Sequence, residues 1–125
     1  MIVESSIHEY PNPENFHDLL LYTNRGLWGE ITPSIRQISF KYNRQTCTYT
    51  LFTYFDDTVT QKELNEDIPG IIIAELISNF TQEIIWKDET KIIAYPQPLP
   101  AHGFCVYRRY EEKNLVGLRE KDIAT

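Results

Sequence analysis

Two strand-like runs of residues, joined by a short turn, limit the folds that this chain can adopt. Apolar side chains recur at every second residue at Ile38, Phe40 and Tyr42. This period of two is typical of a strand with one buried face. Residues 43–45 then predict a turn, and residues 46–55 are rich in β-branched and aromatic residues on both faces. We therefore predict a hairpin whose second strand is central in a sheet.

Two helices are predicted around this hairpin. Asn12 and Pro13 indicate the first helix start, because Asn is a preferred cap and Pro is tolerated at the first helical position. Apolar residues follow at three- and four-residue spacing from Phe16 to Leu27, which predicts a helix with one buried stripe. The second helix is predicted to begin near Thr60 and to break or kink at Pro69.

The rest of the chain completes the predicted fold. Residues 83–86 and 90–95 are short apolar runs around Lys87-Asp88-Glu89, which predict a second hairpin. The Pro-rich run 96–100 predicts an extended connector or sheet edge, and residues 103–110 predict a last strand. We expect an α+β fold with two helices on a mainly antiparallel sheet of about five strands, in the order α-β-β-α-β-β-β. The predicted core contains Leu20, Ile38, Phe40, Leu51, Ile72, Leu76, Ile93 and Val106.

A single domain over residues 1–125 suits this length, because such a chain buries about two thirds of its unfolded surface. Residues 1–11 are expected to be an extended lead-in and residues 111–125 a mobile tail. The start of the chain lacks the basic and apolar regions of a signal peptide, and no run reaches the roughly 18 apolar residues of a membrane span. We therefore expect a cytoplasmic protein. Cys47 and Cys105 lack paired spacing and are expected to be reduced, buried or half-buried thiols.

The sequence contains no recognisable catalytic or cofactor motif. None of the bases His8, His17 and His102 stands in a setting typical of nucleophilic catalysis. The five glycines are scattered, so no phosphate-binding loop is predicted. A paired-carboxylate or magnesium site at Asp56 and Asp57 would need flanking groups that the sequence does not specify. We expect no enzyme activity, no cofactor, no metal and no small-molecule substrate.

The acidic segment, residues 56–67, is the predicted binding site. It holds five carboxylates and one lysine, in a chain with a net charge of -6. Such a field attracts cationic proteins and repels nucleic acid and anionic membranes, although a charge run is more often simply a solvated surface. Nearby aromatic residues are candidate interface anchors, with a core position as the alternative for Trp86. The predicted binding residues are Asp56, Asp57, Glu63, Glu66, Asp67, Tyr54 and Trp86.

A resemblance to a known family lies in residues 19–36 (LLLYTNRGLWGEITPSIR) and residues 103–109 (GFCVYRR). These segments resemble small bacterial proteins found beside polymorphic and contact-dependent growth-inhibition toxins, whose members look like immunity proteins. The resemblance spans about residues 16–110 and carries no catalytic signature. It implies a cytosolic protein that binds one cognate toxin and blocks it.

The charge pattern is compatible with that function and leaves two others open. Toxic nucleases have cationic substrate grooves, so an acidic inhibitor would gain association rate and specificity. A small adaptor or regulatory subunit would use the same acidic surface on an endogenous protein. A nucleic-acid-binding regulator would instead use a basic patch formed by Arg36, Lys41 and Arg44, against the net negative charge.

Overall fold

A computed structural model describes residues 11–111 of the chain. The expected lead-in at residues 1–10 and tail at residues 112–125 lie outside the described residues. The predicted α+β class is confirmed. The elements, in chain order, are α1 Phe16–Leu27, β1 Ile35–Asn43, β2 Thr48–Phe55, α2 Gln61–Asn65, α3 Ile68–Asn79, β3 Ile85–Ile92 and β4 Phe104–Arg108.

The four strands form one mixed sheet in the order β3-β2-β1-β4. Strand β1 is antiparallel to both β2 and β4, whereas β2 and β3 run parallel. Parallel neighbours require a crossover connection, and here the crossover contains α2 and α3. The predicted first hairpin and the central position of its second strand are confirmed.

The predicted second hairpin is wrong. Residues 87–89 do not turn but continue β3, which pairs with β2 without a break from Ile85 to Ile92. Strand β3 is an edge strand with mostly exposed side chains. Charges are favourable there because they remain solvated and discourage pairing with other chains. Among residues 11–111 the sheet is therefore mixed and has four strands, where the sequence predicted about five and a mainly antiparallel arrangement.

The main core lies between the helices and one face of the sheet. It combines buried apolar residues of α1, α3, β1 and β2, including Leu19, Ile38, Leu51, Ile72 and Leu76. The two long helices also approach each other closely at Gly26, where a Cβ atom would lie 3.0 Å from the backbone of Ile72. Of the predicted core, the residues that are only half-buried are Leu20, Ile93 and Val106.

The connector between β3 and β4, residues 93–103, protects the opposite face of the sheet. Because β3 and β4 are the two edge strands, this connector must pass from one edge to the other. Phe52 and Tyr54 are 2% and 1% exposed but do not belong to the helix-side core. The ring of His102 lies 5.2 Å from that of Phe52. The predicted extended connector therefore has a structural role as a cover.

The residue that caps α1 differs from the predicted one. Helix α1 is capped by Asn15, whose side chain accepts a hydrogen bond from the His17 amide at 2.9 Å. Asn12, the predicted cap, instead closes the preceding turn, where its carbonyl accepts a hydrogen bond from the Asn15 amide.

Cys47 and Cys105 are both free and exposed, so their predicted burial is wrong. Cys47 lies in the turn before β2, and Cys105 lies on an edge strand.

Candidate functional site

The acidic segment joins β2 to α3, and its five carboxylates fall into two groups. Asp56, Glu63 and Asp67 accept hydrogen bonds that hold neighbouring elements in place. Asp57 and Glu66 are exposed, and neither side chain forms an ion pair or hydrogen bond with any residue in the range 11–111. The second group therefore has the greater freedom to meet a partner.

Asp56 is part of the fold. It is 6% exposed, and Arg109 Nη1 donates to its Oδ2 at 2.5 Å while the Thr58 amide donates to its Oδ1 at 2.8 Å. Burial alone would raise the pKa of Asp56, but the hydrogen bonds from Thr58 and Arg109 outweigh it and lower that pKa. Asp56 therefore stays ionised and joins the end of β2 to the chain after β4.

Arg109 extends this contact into a buried ionic network, which comprises Asp56, Arg109, Glu111 and Arg36. Arg36 donates from Nε and Nη2 to the two carboxylate oxygens of Glu111 at 2.7 and 2.9 Å, and both side chains are 1% exposed. The hydrogen bond from Arg36 is the main cause that lowers the pKa of Glu111. Glu111, the first residue of the expected tail, is thus held in the fold by Arg36 and Arg109.

Glu63 holds α2 against the turn before β1. One carboxylate oxygen accepts hydrogen bonds from Ser34 and Thr32 at 2.5 and 2.9 Å. The other accepts from Thr60, and the Thr60 side chain accepts from the Glu63 amide, which completes a capping box. The hydrogen bond from Ser34 is the largest of several that lower the pKa of Glu63. This carboxylate is thus engaged in local structure.

The second helix is broken as predicted, but the break lies at Asp67 and not at Pro69, which is in the first turn of α3. Asp67 adopts a left-handed conformation with φ 53° and caps α3 by accepting a hydrogen bond from the Gly70 amide at 3.2 Å. Asp tolerates this conformation better than most residues. A side chain at position 70 would collide with the Asp67 carboxylate, so the cap also requires glycine there. Asp67 nevertheless remains exposed.

The two predicted aromatic anchors differ in accessibility. Tyr54 is 1% exposed, so its predicted exposure is wrong. It lies on the sheet face opposite the helices, because strand side chains alternate between faces. Trp86 is half-buried and packs on Tyr49 and Phe80, with ring centroids 5.2 and 6.1 Å apart. Trp86 therefore contributes to the core edge, as the alternative interpretation held, and retains some exposed surface.

The basic patch that was left open as an alternative does not form from Arg36, Lys41 and Arg44, because these three residues have different environments. Arg36 is buried in the ionic network. Arg44 is exposed and pairs with Glu14 at 3.2 Å. Lys41 lies 5.6 Å from the ring centre of Phe52. These contacts leave no cluster of the kind expected for nucleic-acid binding.

Two exposed apolar side chains that the sequence reasoning missed line a groove between α1 and α3. Trp28 is 87% exposed at the end of α1, and Ile71 is 43% exposed on α3. Both line the same groove. A sequence signal was present: Leu21 and Trp28 lie seven residues apart and outside the buried stripe of α1, and this spacing is typical of two residues on one outer helix face.

Comparison with protein families shows which family the chain belongs to. The family model described as MafI2 immunity protein matches residues 17–111, which is most of the chain. The chain belongs to the MafI2 immunity protein family. It is thus an immunity protein of a toxin system. The match to this immunity family spans the acidic segment, α3, all of α1 except its first residue, and the four described strands. A search of curated proteins gave no match.

Two properties of the described residues concern metal binding and membrane-spanning helices. Within the part of the chain that the structure describes, no three His, Cys, Asp or Glu side chains are grouped so that they could hold a metal ion. Across residues 11–111, no helix has the length and apolar character needed to span a membrane.

Proposed function

We propose that this MafI2 family member binds a cognate toxin domain with a cationic surface in the cytoplasm and occludes it. A nuclease from a polymorphic or contact-dependent growth-inhibition system is the partner class that fits best. The observation that carries the proposal is the match to an immunity family over residues 17–111. The same match favours toxin neutralisation over an adaptor that serves an endogenous protein.

The charge of the exposed surface supports a cationic partner. The chain has a net charge of -6, and Asp57, Glu66 and Asp67 are exposed on the acidic segment. Exposed charges near an interface act chiefly on the association rate and on its salt dependence. Asp56 and Glu63 contribute less to the negative field at the surface, because their carboxylates accept hydrogen bonds within the fold.

A pair of charge-matched variants tests the proposed role of this segment. The first variant carries Asp57→Lys and Glu66→Lys, and the control carries Glu83→Lys and Asp88→Lys. All four wild-type residues are exposed, and each pair of reversals changes the net charge from -6 to -2. Asp67 is left unchanged because it caps α3.

Stopped-flow association with the toxin domain encoded by the adjacent upstream gene is measured at low and moderate salt. We expect the Asp57/Glu66 variant to associate at least roughly 10-fold more slowly than the control at low salt, with a weaker salt dependence, since steering charges can change association rates by 10-fold or more. Protection of toxin-expressing cells should fall in the same order. Equal slowing of both variants would show that only net charge matters. A wild-type protein that neither binds nor protects would refute the proposed function.

A further inference from the structure

We propose that Trp28 and Ile71 form the apolar anchor of the toxin interface, and that they receive an apolar toxin side chain flanked by cationic residues. This inference rests on the proposed function and assigns its contact surface. Trp28 is 87% exposed, which is unusual for the residue type that most often dominates interface energy. An aromatic side chain of this size has more to gain from a partner than from its present contacts.

The backbone holds Trp28 in a fixed position. Trp28 caps the C-terminus of α1, and its amide donates to the Arg25 carbonyl at 3.2 Å. Gly29 follows with φ 80°, and the Glu30 amide donates to the Leu27 carbonyl at 2.9 Å. A positive φ at this position is typical of helix C-termini that end on glycine. Because the backbone around Trp28 is already ordered, binding through the indole restricts mainly its two side-chain torsions.

The floor of the groove is also rigid. It lies where α1 and α3 approach each other at Gly26, which is buried against Ile72. Ile71 is the neighbour of Ile72 on α3 and is directed to the outside, with 43% of its surface exposed. The groove walls are thus carried by two packed helices and by the turn that ends α1. A surface built on such elements keeps its shape before the partner arrives.

Charges around the groove indicate the chemistry of the partner. The acids Glu30 and Glu75 line it together with a single base, Arg25, whose guanidinium already stacks on the ring of Tyr22 at 5.1 Å. Asp67, the last residue of the acidic segment, lies one helical turn before Ile71, and its carbonyl accepts a hydrogen bond from the Ile71 amide. An apolar anchor with a mainly acidic rim is complementary to an apolar side chain among Lys and Arg residues.

Two matched pairs of substitutions test the anchor. Trp28→Ala is compared with Tyr110→Ala, since Tyr110 is another highly exposed aromatic residue at 74%. Ile71→Ser is compared with Ile77→Ser, since Ile77 is 52% exposed on the same helix. The two isoleucines are six positions apart, which places them about 120° apart around the helix axis, on different sides of α3. Urea unfolding of all four variants checks that the fold survives.

We expect Trp28→Ala to weaken toxin binding by at least about 30-fold, mainly through faster dissociation, as for interface residues that cost 2 kcal/mol or more. Ile71→Ser should weaken binding about 5- to 20-fold on the same basis. The controls Tyr110→Ala and Ile77→Ser should stay within about threefold of wild type, because isolated exposed residues outside an interface contribute little.

A fluorine label gives a readout that does not depend on affinity. The chain has two tryptophans, so labelling with 5-fluorotryptophan yields two ¹⁹F signals, which Trp86→Phe assigns. Unlabelled toxin should shift the Trp28 signal and remove its sensitivity to solvent, and should leave the Trp86 signal nearly unchanged.

The outcomes separate this inference from the proposed function. If wild type binds and neutralises the toxin while Trp28→Ala and Ile71→Ser bind equally well, and the Trp28 signal stays in place, the anchor lies elsewhere and neutralisation stands. If wild type does not bind the toxin, both proposals are overturned.

Discussion

Arg36 and Glu111 show that charged side chains in this protein serve the fold as well as the surface. Both are 1% exposed and joined by two hydrogen bonds, and Arg36 also donates to the Ile93 carbonyl at 3.0 Å. The pair therefore connects β1, the connector and the residue that ends the described chain. Removal of one partner leaves a buried charge without compensation, which is far more costly than the loss of an exposed pair.

The variant Glu111→Gln should lower the free energy of unfolding by about 3–5 kcal/mol. Arg44→Gln, which breaks the exposed contact with Glu14, should change it by less than about 1 kcal/mol. Urea denaturation at pH 7 measures both. Equal effects would mean that the Arg36–Glu111 pair is solvated in solution.

The elements of this fold could be predicted from local sequence patterns to different degrees. The hairpin of β1 and β2 was predicted because period-two alternation is a local property. Strand β3 was missed because its residues 87–89 are charged and it pairs in parallel with a strand distant in sequence. The roles of Asp56 and Glu63 could not be predicted either, because their partners Arg109 and Ser34 are brought close only by the fold.

The capped break before α3 gives a prediction that separates charge from conformation. Asp67→Ala should destabilise the protein by about 0.5–2 kcal/mol through the lost cap, with a further cost of about 1–2 kcal/mol for a left-handed alanine. Asp67→Asn should stay within about 0.5 kcal/mol of wild type, because Asn caps equally well and tolerates this conformation. Thermal and urea unfolding measure the two variants. An Asn variant as unstable as the Ala variant would contradict the assigned cap.

For the whole molecule, the buried carboxylates determine how stability depends on pH. Folding lowers the pKa of Asp56 and of Glu111, the latter chiefly through the hydrogen bond from Arg36. The unfolded chain therefore binds more protons than the folded chain in acid. The resulting stabilisation is complete above the ordinary carboxyl pKa of about 4 and is lost as the pH falls through the lowered values.

Urea midpoints should stay nearly constant between about pH 7 and 5 and should fall steeply below about pH 4, where carboxyl groups of ordinary pKa take up protons. In Glu111→Gln the fall should be smaller, because one of the three carboxyl groups with a lowered pKa, those of Asp56, Glu63 and Glu111, is absent. A midpoint that rises on acidification below pH 4, or an unchanged slope in the variant, would contradict this account.

The division of the acidic segment into bound and free carboxylates has an evolutionary consequence. Substitutions at Asp57, Glu66 or Trp28 change the exposed surface and leave the fold intact. Alleles matched to different toxins can therefore differ at these positions and keep the same backbone. A change at Asp56 would instead require a compensating change at Arg109. An alignment of MafI2 relatives should accordingly show covariation between positions 56 and 109, and independent variation at positions 28, 57 and 66.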